Sequence, residues 1–188
     1  MQRTVSWART DGPGHGIGRL VGTVDGWRAH GHEGLAGPAD LVACSFSVEL
    51  DHGWLTRAAE VRSLARDGQR ELRLEADGTG SWTADGLPRP DLDGCLDVDV
   101  AATPLTNTFP IRRLAALRAG EQVSLPVAWV QVPSLEVARV QQTYRRLAAG
   151  QAADAWQYAD RAHGAFRLEV DADGLVVEYE GFAARVAG

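Results

Sequence analysis

Two carboxylates stand at alternate positions in LDVDVAATPLTNTFPIRRL, residues 96–114, and two adjacent arginines close the same stretch. If it opens as a strand, Asp97 and Asp99 leave one face about 7 Å apart. Paired acids near that separation can serve as proton donor and proton acceptor in a hydrolysis. The pattern also has a structural use. Leu96, Val98 and Val100 would face the core, and the acids would turn to solvent or to Arg112 and Arg113. Guanidinium forks bind carboxylates bidentately, so an Asp–Arg pair joining strand to helix would fix the loop between them. That loop carries Thr103, Thr106, Asn107 and Thr108 at a helix start, where free backbone N–H groups favour anions. Such groups can hold a sugar hydroxyl, a carboxylate or a phosphate, or they can satisfy their own turns.

Other chemistry is thinner. His30, His32 and Glu33 in WRAHGHEG suggest a metal, because His-x-His places both rings on one face of a strand. No third ligand is fixed by spacing, and loop histidines in glycine-rich segments are more often idle, so no metal is expected. DGPGHGIG has the glycines of a phosphate loop without its GK[ST]. There is no GxSxG, and neither cysteine lies in a catalytic signature. All 19 Lys-plus-Arg positions are Arg. Without lysine there is no lysine nucleophile, Schiff base or P-loop lysine, and no cofactor is expected.

The 188 residues are 45% hydrophobic with a net charge of -6. That suits one domain over residues 1–188 with its own core, and argues against a nucleic-acid partner. MQRTVSWARTDG lacks the apolar core of a signal peptide, and no run of about 18 apolar residues occurs, so the expected location is the cytoplasm. In that reducing setting Cys44 and Cys95 read as small core residues.

The elements that would position these groups show period-two alternation. In LVACSFSVEL, Val42, Cys44, Phe46, Val48 and Leu50 point one way, Ser45, Ser47 and Glu49 the other. WLTRAAEVRSL follows after DHG as a hairpin partner. RELRLEADG continues the pattern to a turn at Asp77-Gly78, and Asp171-Ala172-Asp173-Gly174 is a second hairpin turn. Further strands are expected at GRLVGTV, CLDVDVA, VSLPVAWVQV, LEVARVQQTY, AFRLEV and GLVVEY. Two segments can be helical: FPIRRLAAL, with Thr108 as cap and Pro110 in the first turn, and RRLAAGQAADAWQYAD. The fold class is mainly β: one strongly curled antiparallel sheet with one or two short helices. Such a roll can be filled by side chains or can leave a cavity, and the tryptophans could serve either purpose.

GCLDVDVAATPLTNTFPIRRL resembles the signature of the bacterial family called "putative glycolipid-binding" proteins. Trp7, VACSFSVELD, WLTR at 54–57, GSW before a GLP turn, VAWVQVPSLEV, QQTYRRL and VDADGLVVEYEGFAARV extend the resemblance over nearly the whole chain. Phe109 and Leu105 depart from the usual pattern while staying apolar. The resemblance implies a spiral β-roll akin to bacterial lipoprotein carriers, with a cavity for a lipid-like ligand. The function expected is therefore binding of an amphiphilic or glycolipid-like molecule, with Glu49, Trp54, Arg57, Asp99, Asn107, Arg112 and Tyr144 as candidate ligand residues. The alternative is an enzyme on the same scaffold, using Asp97 with Asp99, or Glu49 with Arg57, on an apolar small molecule. A third is an interaction protein whose Asp–Arg network is structural. The oligomeric state is not legible.

Overall fold

The computed structural model describes residues 2–37, 41–148 and 154–188. The first strands are β1 (Gln2–Arg9), β2 (Gly14–Gly22), β3 (Trp27–Ala36), β4 (Leu41–Leu50), β5 (Thr56–Ala65) and β6 (Gly68–Ala76). Three short ones follow: β7 (Trp82–Ala84), β8 (Leu87–Pro88) and β9 (Asp97–Val100). A helix, α1 (Thr108–Arg113), precedes β10 (Gln122–Val130), β11 (Val137–Arg146), β12 (Asp154–Asp160), β13 (Gly164–Val170), β14 (Val176–Tyr179) and β15 (Ala183–Ala187). They form one sheet running from β8 back to β1, then from β15 back to β9. The first and last strands of the chain therefore pair in its middle. Every neighbouring pair is antiparallel except β9 with β10. The sheet does not close, and β8 and β9 are its two edges.

Burial explains the roll. On β4 the residues Cys44, Phe46, Val48 and Leu50 are buried, as alternation predicts. They join Val5, Leu20, Val61 and Leu74 in one apolar cluster. Val98, Val100, Ala128 and Val130 fill the centre of that cluster, so the sheet's last two strands lie inside the curl of its first half. The opposite face of β10 to β14 curls around α1. There Leu125, Val127, Tyr144, Trp156 and Leu168 meet Ile111. β9 is thus covered on both faces. The amide of Thr56 donates to Leu96 O at 3.0 Å and the Val98 amide to Thr56 Oγ1 at 3.1 Å, which stitches β5 to β9 without a continuous ladder.

Glycine makes room where the curl is tight. A Cβ on Gly31 would lie 2.1 Å from the Phe46 ring, and one on Gly18 would meet Trp7 and Leu105. The glycines of GHGIG are therefore inward positions of β2, which begins at Gly14 rather than Gly18. Both expected turns are present. Asp77 Oδ1 accepts from the amides of Thr79, Gly80 and Ser81, and Asp171 Oδ1 from those of Asp173 and Leu175.

Two helix expectations need correction. In RRLAAGQAADAWQYAD, Arg145 and Arg146 end β11, Asp154–Asp160 is β12, and residues 149–153 lie outside the described ones. Pairing on both sides and the burial of Trp156 and Tyr158 override the helical preference of the alanines. Thr108 is not a cap either. A 3-10 turn over Leu105–Asn107 runs straight into α1, so the Thr108 amide is already bonded to Leu105 O and Thr106 O. Cys44 and Cys95 are buried free thiols.

Candidate functional site

The two faces of β9 do different work. Val98 and Val100 belong to the apolar cluster, while Asp97 and Asp99 point to the side of α1, level with Val127 and Trp129 of β10. Arg113 reaches back from α1 and grips both oxygens of Asp97, each at 2.5 Å. Asp97 is 1% exposed and Arg113 17%, so this is an enclosed bidentate pair. It joins strand to helix as the spacing suggested, and Arg113 is the arginine that does so.

Asp99 has no arginine. Its Oδ1 accepts from Thr106 Oγ1 at 2.7 Å and its Oδ2 from Gln142 Nε2 at 2.7 Å. The Tyr144 hydroxyl donates to Asn107 Oδ1 at 2.9 Å and lies 3.3 Å from Gln142 Oε1. Burial raises the Asp99 pKa, the Thr106 and Gln142 bonds oppose the rise, and the charges of Asp160 and Asp97 add to it.

Asp99 and Asn107 line a cavity of about 270 Å³. Across it lie Tyr158, Asp160 and His163. Asp160 Oδ2 accepts from the Tyr158 hydroxyl at 2.7 Å, and its Oδ1 takes the amides of Ala162 and His163 at 2.8 and 2.7 Å. Burial works against ionisation of Asp160, but the Tyr158 hydroxyl and the His163 amide and ring outweigh it and lower the pKa. The two cavity carboxylates are thus pushed in opposite directions. Trp129, Phe166, Tyr179 and Phe182 supply aromatic walls. Tyr179 packs 4.8 Å from Phe182 and 5.8 Å from Phe166, ring centre to ring centre. Arg9 lies behind the Phe182 ring, pairs with Asp11 at the rim, and donates to Ala102 O.

The sequence candidates divide in space. Asp99 and Asn107 face the cavity, with Tyr144 behind them in the same network. Trp54 is buried at 4.6 Å from Trp27, and Arg112 stacks over it at 5.1 Å, outside the cavity lining. Glu49 and Arg57 are on the outer surface: Glu49 pairs with Arg28, and Arg57 with Asp51. His30 and His32 turn outward from β3 while Glu33 turns inward, so they do not converge on one ion. Among the described residues no cluster of three or more metal-ligating side chains forms.

Several site residues escaped the sequence reading. Tyr158 and Asp160 lay in a segment expected to be helical, and His163 sits at a turn with no motif. Glu33 is the other surprise. It is 3% exposed, its Oε1 has no hydrogen-bond partner, and burial lifts its pKa to about 7 against the Thr103 hydroxyl and Arg9. Its register partner Gly16 was the available signal, since a Cβ there would collide with the carboxylate.

Among the described residues no helix is long and apolar enough to cross a membrane. No curated protein matches the sequence. A solved structure of a DUF1089-family protein from Pseudomonas aeruginosa is similar, with a TM-score of 0.79 and 31% identity, covering 91% of this chain and 92% of that one. The β-barrel-like DUF1849 protein of Brucella abortus has a TM-score of 0.57 at 10% identity, covering 99% and 95%, a likeness of fold alone. Residues 4–185 match the family described as "Putative glycolipid-binding", and the chain belongs to that family.

Proposed function

We propose that the protein binds a glycolipid-like amphiphile through the cavity between β9, the loop that precedes α1 and the β12–β14 strands. One observation carries this reading: a concave site with aromatic walls also holds Asp99, Asn107, Tyr158 and Asp160, a combination suited to one polar end and one apolar end. Ligand sites usually span about 300–1,000 Å³, so about 270 Å³ suits a head group and the first carbons of a tail rather than a whole lipid. In this reading Asp99 and Asn107 meet the ligand, and Tyr144 holds Asn107 in place.

Native mass spectrometry of protein purified from its source organism, followed by unfolding and extraction, tests the reading. A stoichiometric amphiphile released on unfolding is expected. Recovery of a water-soluble metabolite without an apolar part would overturn it. An enzyme reading draws on the opposed pKa shifts of Asp99 and Asp160, the arrangement that separates an acid from a base. It requires Asp99→Asn to abolish turnover of the recovered ligand while still binding it.

A further inference from the structure

The cavity carries an unbalanced charge. Four aspartates lie in or beside it, and two have an arginine: Asp97 is held by Arg113 and Asp11 by Arg9. The other two have no arginine: Asp99 is met by Thr106 and Gln142, and Asp160 by Tyr158, two backbone amides and the His163 ring, with Nδ1 at 3.0 Å. Every donor to Asp99 is uncharged, so when this carboxyl ionises no cationic side chain of the protein neutralises it. No arginine lines the cavity among the described residues. The basic group at its rim is His163, 58% exposed beside an Asp160 that is only 4% exposed.

The walls add a second attraction of the same sign. Trp129, Tyr158, Phe166, Tyr179 and Phe182 surround the space, and aromatic faces carry the negative part of the ring quadrupole. A metal ion is not the occupant this arrangement favours, because no cluster of three or more ligating side chains forms among the described residues. Aromatic faces with isolated carboxylates suit an organic cation instead. Independently, the site has an open polar group. Asn107 is 4% exposed and lines the cavity; its Oδ1 is taken by Tyr144, while its Nδ2 finds no acceptor among the described residues.

We infer that the polar end of the ligand is an organic cation, a primary or quaternary ammonium, seated between the Asp99 and Asp160 carboxylates against the aromatic wall, with an acceptor oxygen nearby for Asn107. This inference rests on the amphiphile reading above and narrows its head group. An anionic head would face two carboxyl groups that no arginine pairs, and a neutral sugar would supply Asp99 with no counter-charge. Acidification should weaken the binding of a cation, because protonating Asp99 removes the charge that attracts it.

Three probes with the same tail separate the possibilities: octyltrimethylammonium, octyl glucoside and octyl sulfate, each titrated calorimetrically below its micelle-forming concentration. The cationic probe is expected to bind at least about tenfold more tightly than the other two. Asp99→Asn and Asp160→Asn should each remove most of that preference, with a parental circular-dichroism spectrum reporting that the variants fold. Glu60→Gln, on the exposed outer face where it pairs with Arg73, should change nothing. Equal or tighter binding of the glucoside or the sulfate overturns the cationic head group and leaves the cavity reading standing. No binding by any probe overturns both.

Discussion

Replacing Glu33 by glutamine should stabilise the protein above neutral pH and leave it nearly unchanged in acid. The Glu33 carboxyl is buried, and its Oε1 lacks a hydrogen-bond partner. Burial raises its pKa from 4.5 to about 7, while the Thr103 hydroxyl and Arg9 pull the other way. The buried Cys44 thiol is nearby and is itself pushed up to about 12, by burial and by the charge of Glu33. Below pH 4.5 the carboxyl is protonated whether the chain is folded or not, so it costs nothing. Between 4.5 and about 7 the unfolded chain ionises while the folded chain holds its proton, and stability falls as pH rises. Above about 7 both are ionised and the loss levels off. At about 1.36 kcal/mol per pKa unit, the total is about 3 kcal/mol. That is a large share of the roughly 5–15 kcal/mol by which domains are stable.

Urea unfolding followed by tryptophan fluorescence, at steps from pH 4.5 to 8.5, measures the effect. Other titrating groups are common to parent and Glu33→Gln, so the difference between the two curves isolates this carboxyl. The variant should gain on the parent progressively, reaching about 3 kcal/mol near pH 8. Curves that run parallel within about 0.5 kcal/mol across the range would mean that the folded protein ionises Glu33 as easily as the unfolded chain does. The burial argument would then be refuted.

Two further substitutions probe the frame of the site. Arg113→Met leaves the Asp97 carboxylate buried without its fork and should cost about 3–5 kcal/mol in urea unfolding, whereas Arg113→Met combined with Asp97→Leu should recover most of the loss; a single variant losing under about 1 kcal/mol would show the pair to be no better than a surface one. Gly31→Ala brings a Cβ to 2.1 Å from the Phe46 ring and should lower stability by about 1–3 kcal/mol, read as a fall in Tm that Phe46→Leu in the same chain largely reverses; an unchanged Tm would refute the packing account.

What was legible follows from where burial is one-sided. β4 has one face in the core and one in solvent, so VACSFSVEL alternates and its faces are readable residue by residue. β12 does not alternate so cleanly: Ala155 and Trp156 are both buried, on opposite faces, and its Ala-rich approach favours a helix on propensity alone. β9 fails for another reason. Its alternation separates Val98 and Val100 from Asp97 and Asp99 correctly, yet the sheet rolls over both faces, and no local pattern reports a second covering layer. Glu49 and Arg57 illustrate the converse: alternation already sets Glu49 opposite the apolar face of β4, and both residues form their ion pairs on the outer surface, away from the cavity.

The position of β9 at the edge of the sheet accounts for the unusual composition of residues 96–114. A sheet edge rolled into the interior must supply an apolar face to one lobe, which Val98 and Val100 do. Its other face meets a loop and a six-residue helix too short to offer a broad apolar stripe. Polar side chains on that face are tolerable only if each is matched, and the matching partners come from the segment that follows: Thr106 for Asp99 and Arg113 for Asp97. The match is complete for Asp97, whose partner is charged. It is incomplete for Asp99, whose partners are neutral, and for Asn107, which has one end free. Those two residues face the cavity. The same stretch thus locks the roll with the pair it neutralises and leaves open, toward the cavity, the groups it does not.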